Sequence, residues 1–267
     1  MELNGKTALV TGASGGIGAA LARALAAAGV DLILSGRDTE RLAALRSELG
    51  ERHVAVAADL ATAAGRAKVV SSCEVRPRGL DLLVNNAGIG SFGCFETLEE
   101  ADIERVVVLN LTAPLLLTRG LLPLLAQAPE AAVVNLGSAF GALGYPGFSV
   151  YCASKFGLRG FSEALARELA DSKIRILHLA PRATATAMND NRVEALNRTL
   201  GNAVDSPETV ARAMIRLLRG RRRRLTLGRT EGLLGLLNAL CPRILDSGIA
   251  RQLPVIRRFA RSGSEPL

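Results

Sequence analysis

The chain has no tryptophan, two tyrosines, two histidines and four cysteines in 267 residues, and aromatics make up only 3% of it. Its core must therefore be aliphatic, and apolar residues at 49% are ample to build one. Cys73, Cys94, Cys152 and Cys241 are scattered, without a CxxC pair or ligand spacing. That excludes a zinc or disulfide framework and suits reduced thiols in a cytoplasm; no metal site is expected. His53 and His178 fall in strand-like apolar runs, which points to core packing or strand-edge hydrogen bonding. No apolar run reaches the ~18 residues of a membrane span. The opening MELNGKTALVTG enters a strand at once, with neither the basic start nor the apolar stretch of a secretory signal. A cytoplasmic protein is expected.

Acidic charge is missing from one region only. Residues 1–211 carry 20 basic and 22 acidic side chains, whereas 212–261 carry 13 arginines, no lysine and two acids. The net charge of +8 therefore belongs to the C-terminal segment. The body has no basic face for nucleic acid, so no nucleic-acid partner is expected.

What is present alternates. Apolar runs at 7–11, 31–35, 53–57, 80–84, 131–136, 174–179 and 224–228 read as strands. Helical patterns follow them: one through Ala28, then 38–49, a short one after Ala61, 99–125, one holding Tyr151, and, after a loop, 207–219. Continuous apolar strands separated by helices predict a single-domain α/β fold, a doubly wound (Rossmann) parallel sheet of about seven strands, with helices on both faces. Residues 1–230 would form the dinucleotide-binding catalytic domain. Residues 231–267 would form a basic helical extension.

The stretch TGASGGIG, 11–18, joins the first strand to the first helix. Gly12, Gly16 and Gly18 suit a sharp turn and close approach to a pyrophosphate. The helix beginning near Ile17 offers free N–H groups and a positive dipole end. Strand two ends Ser35-Gly36-Arg37, where an NAD site usually carries an acid for the ribose 2′-hydroxyl. Arg37 can pair with a 2′-phosphate and Ser35 can add a hydrogen bond, so NADP is expected over NAD. Tyr151 and Lys155, four apart in YCASK, share a helix face.

With TGASGGIG at 11–18, Asp59, NNAG at 85–88, Asn110, Ser138, YCASK at 151–155 and the segment Pro181–Met188 in this order, the chain resembles the short-chain dehydrogenase/reductase family over residues 5–230. The resemblance implies a catalytic tetrad of Asn110, Ser138, Tyr151 and Lys155. It implies that Asp59 contacts the adenine, that Asn85 and Ala87 line the cofactor groove, and that Thr186 holds the nicotinamide carboxamide. Ser14, Leu60, Gly88, Pro181 and Thr184 complete the implied cofactor set. It also implies a homo-oligomer paired through helices at 99–125 and 149–171. Three departures stand out: Gly15 where NADP-using members often carry a basic residue, Pro181-Arg182 in place of Pro-Gly, and the long basic tail.

In such a site Tyr151 passes a proton. A free phenol, pKa ~10, is a poor partner at neutral pH, and the Lys155 cation is expected to draw it down. Ser138 would orient the substrate oxygen, and Asn110 would fix a water leading to Lys155. The reaction expected is hydride transfer between nicotinamide and a carbonyl or secondary alcohol. An epimerase or dehydratase on the same fold, or a nucleotide sensor without turnover, are the alternatives. Ile89, Phe92, Phe140, Leu143, Tyr145 and Phe148 suggest an apolar small-molecule substrate, with 183–206 as its lid. In the tail, Leu233, Leu236, Leu237 and Leu240 form one apolar face, and Ile249, Leu253, Ile256, Phe259 and Ala260 a second among arginines. Pro242 and Pro254 are expected to break the pattern. A basic amphipathic tail fits a lid, a subunit contact or a peripheral membrane element.

Overall fold

Strands whose side chains are apolar in both directions must be covered on both faces, and all seven form one parallel sheet. In the computed structural model, which describes residues 1–261, they are β1 (Thr7–Thr11), β2 (Asp31–Gly36), β3 (Val54–Ala57), β4 (Leu82–Asn85), β5 (Ala131–Leu136), β6 (Ile174–Ala180) and β7 (Arg224–Thr226). Their order is β3-β2-β1-β4-β5-β6-β7. Alternation sorts the side chains. Ala8, Val10, Leu32 and Leu34 enter one aliphatic core, against α1 (Gly16–Ala27) and α8 (Pro207–Arg219). Leu9, Ile33 and Leu83 enter the other, against α3 (Ala63–Glu74) and α5 (Ala113–Leu125). The order reverses between β1 and β4, and in open α/β sheets ligands bind at the strands' carboxyl ends beside such a reversal.

The helix α4 (Glu100–Val107) runs into α5 through a π-helical turn, Val108–Thr112. Together they span Glu100–Leu125, long and apolar enough to cross a membrane by length and composition. Here, however, Asn110 and Thr118 are buried against the protein's own interior. The remaining helices of the body are α2 (Thr39–Leu49), α6 (Ser149–Glu168) and α7 (Asn191–Leu200). The α7 segment was expected to be loop; Asp190 caps its start by accepting from Val193 N–H, and left-handed Gly201 ends it.

The tail forms α9 (Arg229–Leu240) and α10 (Pro242–Arg261). The last six residues of the expected extension lie outside the described residues. Pro242 opens α10, but Pro254 does not break it. Pro254 and Ala250, four residues before it, are both exposed, so water can meet the carbonyl that loses its partner. Of the second apolar stripe, Ile256 and Ala260 are buried in a third cluster with Phe92, Val193 and Leu196. The leucine face of α9 is not: Leu233, Leu236 and Leu240 are 63%, 57% and 70% exposed. His53 is satisfied at a strand edge, where Nδ1 accepts from Leu32 N–H at 3.0 Å. His178 is buried with Nε2 unpartnered, and burial pushes it down to about 4, so the ring is neutral.

Candidate active site

At the reversal point the loops after β1 and β4 are sewn together. Thr11 Oγ1 accepts from Asn86 N–H (2.9 Å) and Ala87 N–H (3.0 Å). Asn86 Nδ2 donates back to Thr11 O (2.8 Å) and Gly12 O (3.2 Å). Gly12 has φ +64°, and a Cβ there would meet Ala87 Cα at 2.9 Å. A Cβ on Gly18 would fall 2.0 Å from Gly12 O, so the start of α1 closes on the loop only through glycine. No side chain caps α1. The N–H groups near Gly16 and Ile17 are thus left for an anion. Thr186 lies over this end, its Cγ2 3.0 Å from where a Gly16 Cβ would sit. A close-approach loop and an uncapped helix start fit a dinucleotide pyrophosphate.

The other expected cofactor residues divide. Asp59 is exposed at the end of the β3 segment, its Oδ1 accepting from Ala61 N–H, and Leu60 is buried beside it. Ser14 Oγ lies 2.6 Å from where a Gly36 Cβ would be, so only glycine fits at the end of β2. Arg37 is exposed, and no ion pair holds it among the described residues; its neighbour Asp38 caps α2 and pairs with Arg41 at 3.2 Å. Ser35 does not join Arg37. Its side chain follows the alternation of Ile33 and is fully buried, with its hydroxyl unpartnered among the described residues. Asn85 is also corrected. It follows Leu83 into the interior, where Nδ2 donates to Thr118 Oγ1 (3.0 Å) and Asn135 Oδ1 (2.8 Å). The residue that ties the two loops together is Asn86, which the sequence reading passed over. Pro181 and Thr184 are buried in the loop after β6, with Thr184 Oγ1 donating to Arg182 O at 3.0 Å.

The catalytic candidates converge. Ser138, just beyond β5, starts a 3-10 turn, Ala139–Gly141, and accepts from Phe140 N–H at 3.1 Å. It lies near the hydroxyl of Tyr151 on α6, whose ionised form it favours. One turn further along α6, Lys155 Nζ lies 5.6 Å from the centroid of the Tyr151 ring and donates to Leu136 O at 2.9 Å. Asn110 sits in the π-helical turn, its side chain saturated: Oδ1 accepts from Ile89 N–H (2.8 Å), and Nδ2 donates to Ile89 O (2.9 Å) and Ser154 Oγ (3.2 Å). Gly88 marks where Asn110 and Lys155 meet. A Cβ on it would be 3.0 Å from Asn110 Oδ1 and 3.7 Å from Lys155 Nζ.

Electrostatics modify one expectation. Burial pushes the Tyr151 hydroxyl up to about 12, against the opposing effect of the nearby Ser138 hydroxyl. Burial also pushes Lys155 down to about 8. In the free protein desolvation therefore outweighs the expected pull of the lysine on the phenol.

Beyond these groups, four of the six expected pocket residues stack together. Phe140 lies on Tyr145 (centroids 5.1 Å, 11° between planes), and Phe148 contacts both Phe92 (4.8 Å) and Phe140 (5.0 Å). Ile89 packs instead against the core under β4, and Leu143 is half-buried. The tail closes over the cluster: Tyr145 Oη donates to Gln252 Oε1 at 2.7 Å, and Asn238 Nδ2 donates to Ala142 O at 3.0 Å. Arg182, where Pro-Gly was expected, pairs with Asp205 (2.8 Å) and reaches Glu231 of α9 (3.8 Å). The loop after β6 is thereby linked to the tail.

A family model described as short chain dehydrogenase matches residues 6–197. Nodulation protein G of Rhizobium meliloti is 41% identical over 189 residues, 71% of this chain and 77% of that protein. Among solved structures, a 3-ketoacyl-(acyl-carrier-protein) reductase from Brucella melitensis complexed with NADH superposes with TM-score 0.77 at 29% identity, covering 84% of this chain and 97% of that one. A short chain dehydrogenase from Burkholderia cenocepacia in complex with NADP does so with TM-score 0.76 at 31% identity, covering 85% and 97%.

Proposed function

The chain belongs to the short-chain dehydrogenase/reductase family, and on that premise we propose that it is a cytoplasmic, NADPH-dependent reductase of an apolar ketone or 3-ketoacyl substrate. The observation that carries the reading is the convergence of Ser138, at the end of β5, with Tyr151 and Lys155 one helical turn apart on α6, Lys155 Nζ lying 5.6 Å from the Tyr151 ring. Bound NADPH would supply the hydride. Ser138 holds the substrate carbonyl oxygen, and Tyr151 gives that oxygen its proton. Lys155 stands behind the phenol as a cation at neutral pH, where negative charge develops as the proton leaves. With Tyr151 protonated up to about 12, the pair is set at neutral pH for reduction; the reverse reaction needs the phenolate.

Relatives bind either nicotinamide cofactor, so the NADP preference rests on the chain's own Arg37. That side chain is exposed and unpaired among the described residues, and Gly36 stands where an acid would repel a phosphate. The aromatic cluster of Phe92, Phe140, Tyr145 and Phe148 supports an apolar substrate. Leu116 and Phe156, 40% and 39% exposed on α5 and α6, support pairing of two chains through those helices. The test is NADPH oxidation followed by absorbance against medium-chain ketones and 3-ketoacyl thioesters. Tight NADPH binding without turnover on any of them would refute the reductase reading.

A further inference from the structure

Four of the ten large apolar side chains exposed among the described residues fall within twelve positions: Leu233, Leu236, Leu240 and Ile244. The leucines are spaced three and four apart, so they share one face of α9. The inward side of α9 is already occupied, by Gly235 and Asn238 against Ala142. The inward side of α10 is likewise used, by Leu245, Ile256 and Ala260. From Ala239 to Ile244 every residue is exposed, so nothing in the protein covers Leu240 or Ile244 on either side of the junction of the two helices. Scattered exposed leucines need no explanation, but four exposed large apolar side chains within twelve positions, three of them on one helix face, mark an interaction site.

Charge selects the partner. Ile244 and Arg251 are seven residues apart and lie along one face of α10, and Arg243 is exposed beside them. Residues 229–261 contain six arginines against two acids, one of which, Glu231, is turned inward toward Arg182. A two-fold contact between copies would place this patch on itself and bring arginine onto arginine. An anionic surface with an apolar interior satisfies both features at once. We propose that the exposed face formed by Leu233, Leu236, Leu240 and Ile244, with Arg243 and Arg251 beside it, docks on the surface of an anionic lipid bilayer. The helices lie in the interface and do not span it. The inner sides of the same helices hold Ala142 and Tyr145, so the docked face backs directly onto the aromatic mouth of the site.

Co-sedimentation of the full chain with vesicles of phosphatidylcholine alone, or mixed with phosphatidylglycerol, tests this without any substrate. Binding is expected to the anionic vesicles only, and to fall as salt is raised. The exchange Arg243→Gln with Arg251→Gln should weaken it on the order of thirtyfold, from the usual gain per cation near an anionic leaflet. The triple variant Leu233→Ser, Leu236→Ser, Leu240→Ser should weaken it by at least roughly tenfold. NADPH affinity should stay unchanged in both variants, which separates loss of docking from loss of fold. A parent chain that stays in the supernatant at low salt overturns the proposal. So does a serine variant that sediments like the parent, or one whose mass by light scattering drops, because the leucines would then cover a second copy of this chain.

Discussion

Replacing Lys155 by methionine should stabilise the free protein while abolishing its activity. Lys155 is 6% exposed and has one hydrogen bond, to Leu136 O. Burial lowers its pKa from 10.5 to about 8. At pH 7 the lysine is charged in both folded and unfolded chains, so the whole shift counts against folding, about 3 kcal/mol at 1.36 kcal/mol per unit. Methionine keeps the apolar stem but leaves the Leu136 carbonyl unpaired, which costs about 1 kcal/mol. The net gain is about 2 kcal/mol. The sign of the pH dependence follows from the direction of the shift. Between pH 8 and 10.5 the unfolded chain holds a proton that the folded chain has lost, so the parent grows more stable with rising pH. By pH 9.5 only about one unit of penalty remains, and the variant's advantage should shrink to about zero. Urea unfolding of both proteins without cofactor, at matched concentration and at pH 7 and 9.5, measures the difference. A variant no more stable than the parent at pH 7, or an advantage that does not change with pH, would refute the reasoning.

Tyr151→Phe removes only the proton-donating hydroxyl; turnover should fall to a few per cent or less with NADPH still bound, as followed by steady-state rates and cofactor titration. Arg37→Asp should narrow or reverse the NADPH preference, read as the ratio of kcat/KM for NADPH and NADH, and equal efficiency with both in the parent would remove the role given to Arg37. Light scattering at micromolar concentration should give a multiple of the 28.0 kDa chain; a monomer would leave Leu116 and Phe156 without the subunit contact assigned to them.

The sheet was legible because parallel strands buried on both faces read as unbroken apolar runs, and β1 and β5 match their expected limits to the residue. The convergence of Ser138, Tyr151 and Lys155 was legible because two of them share a helix face and the third ends a strand. The side chains that fall elsewhere than expected do so where direction decides. Ser35 and Asn85 sit at strand ends, and each follows the residue two before it, Ile33 or Leu83, to the inner face. Counting that alternation would have turned both inward and drawn attention to Asn86. The π-helical turn around Asn110 has no signature in a 3.6-residue pattern, so its geometry was invisible. Asp190 and Gly201 are the cap signals of α7 in the sequence, an N-cap acid and a left-handed glycine after the last turn. The leucines of α9 had a readable spacing, yet spacing cannot say whether a face is covered. That depends on Gly235 and Asn238 having taken the contact with Ala142 on the other side.

A protein without tryptophan emits in the near ultraviolet through its tyrosines, and this one has only Tyr145 and Tyr151. The first is bonded to Gln252 at the seam between α10 and the body, and the second lies beside Lys155 among the reacting groups. The intrinsic fluorescence of the unlabelled chain therefore comes from this neighbourhood alone. A ligand that fills the site, or a tail that lifts from it, alters the surroundings of every emitting ring at once. With Tyr145→Phe, all remaining emission belongs to the catalytic phenol, which then reports on cofactor and substrate without a label.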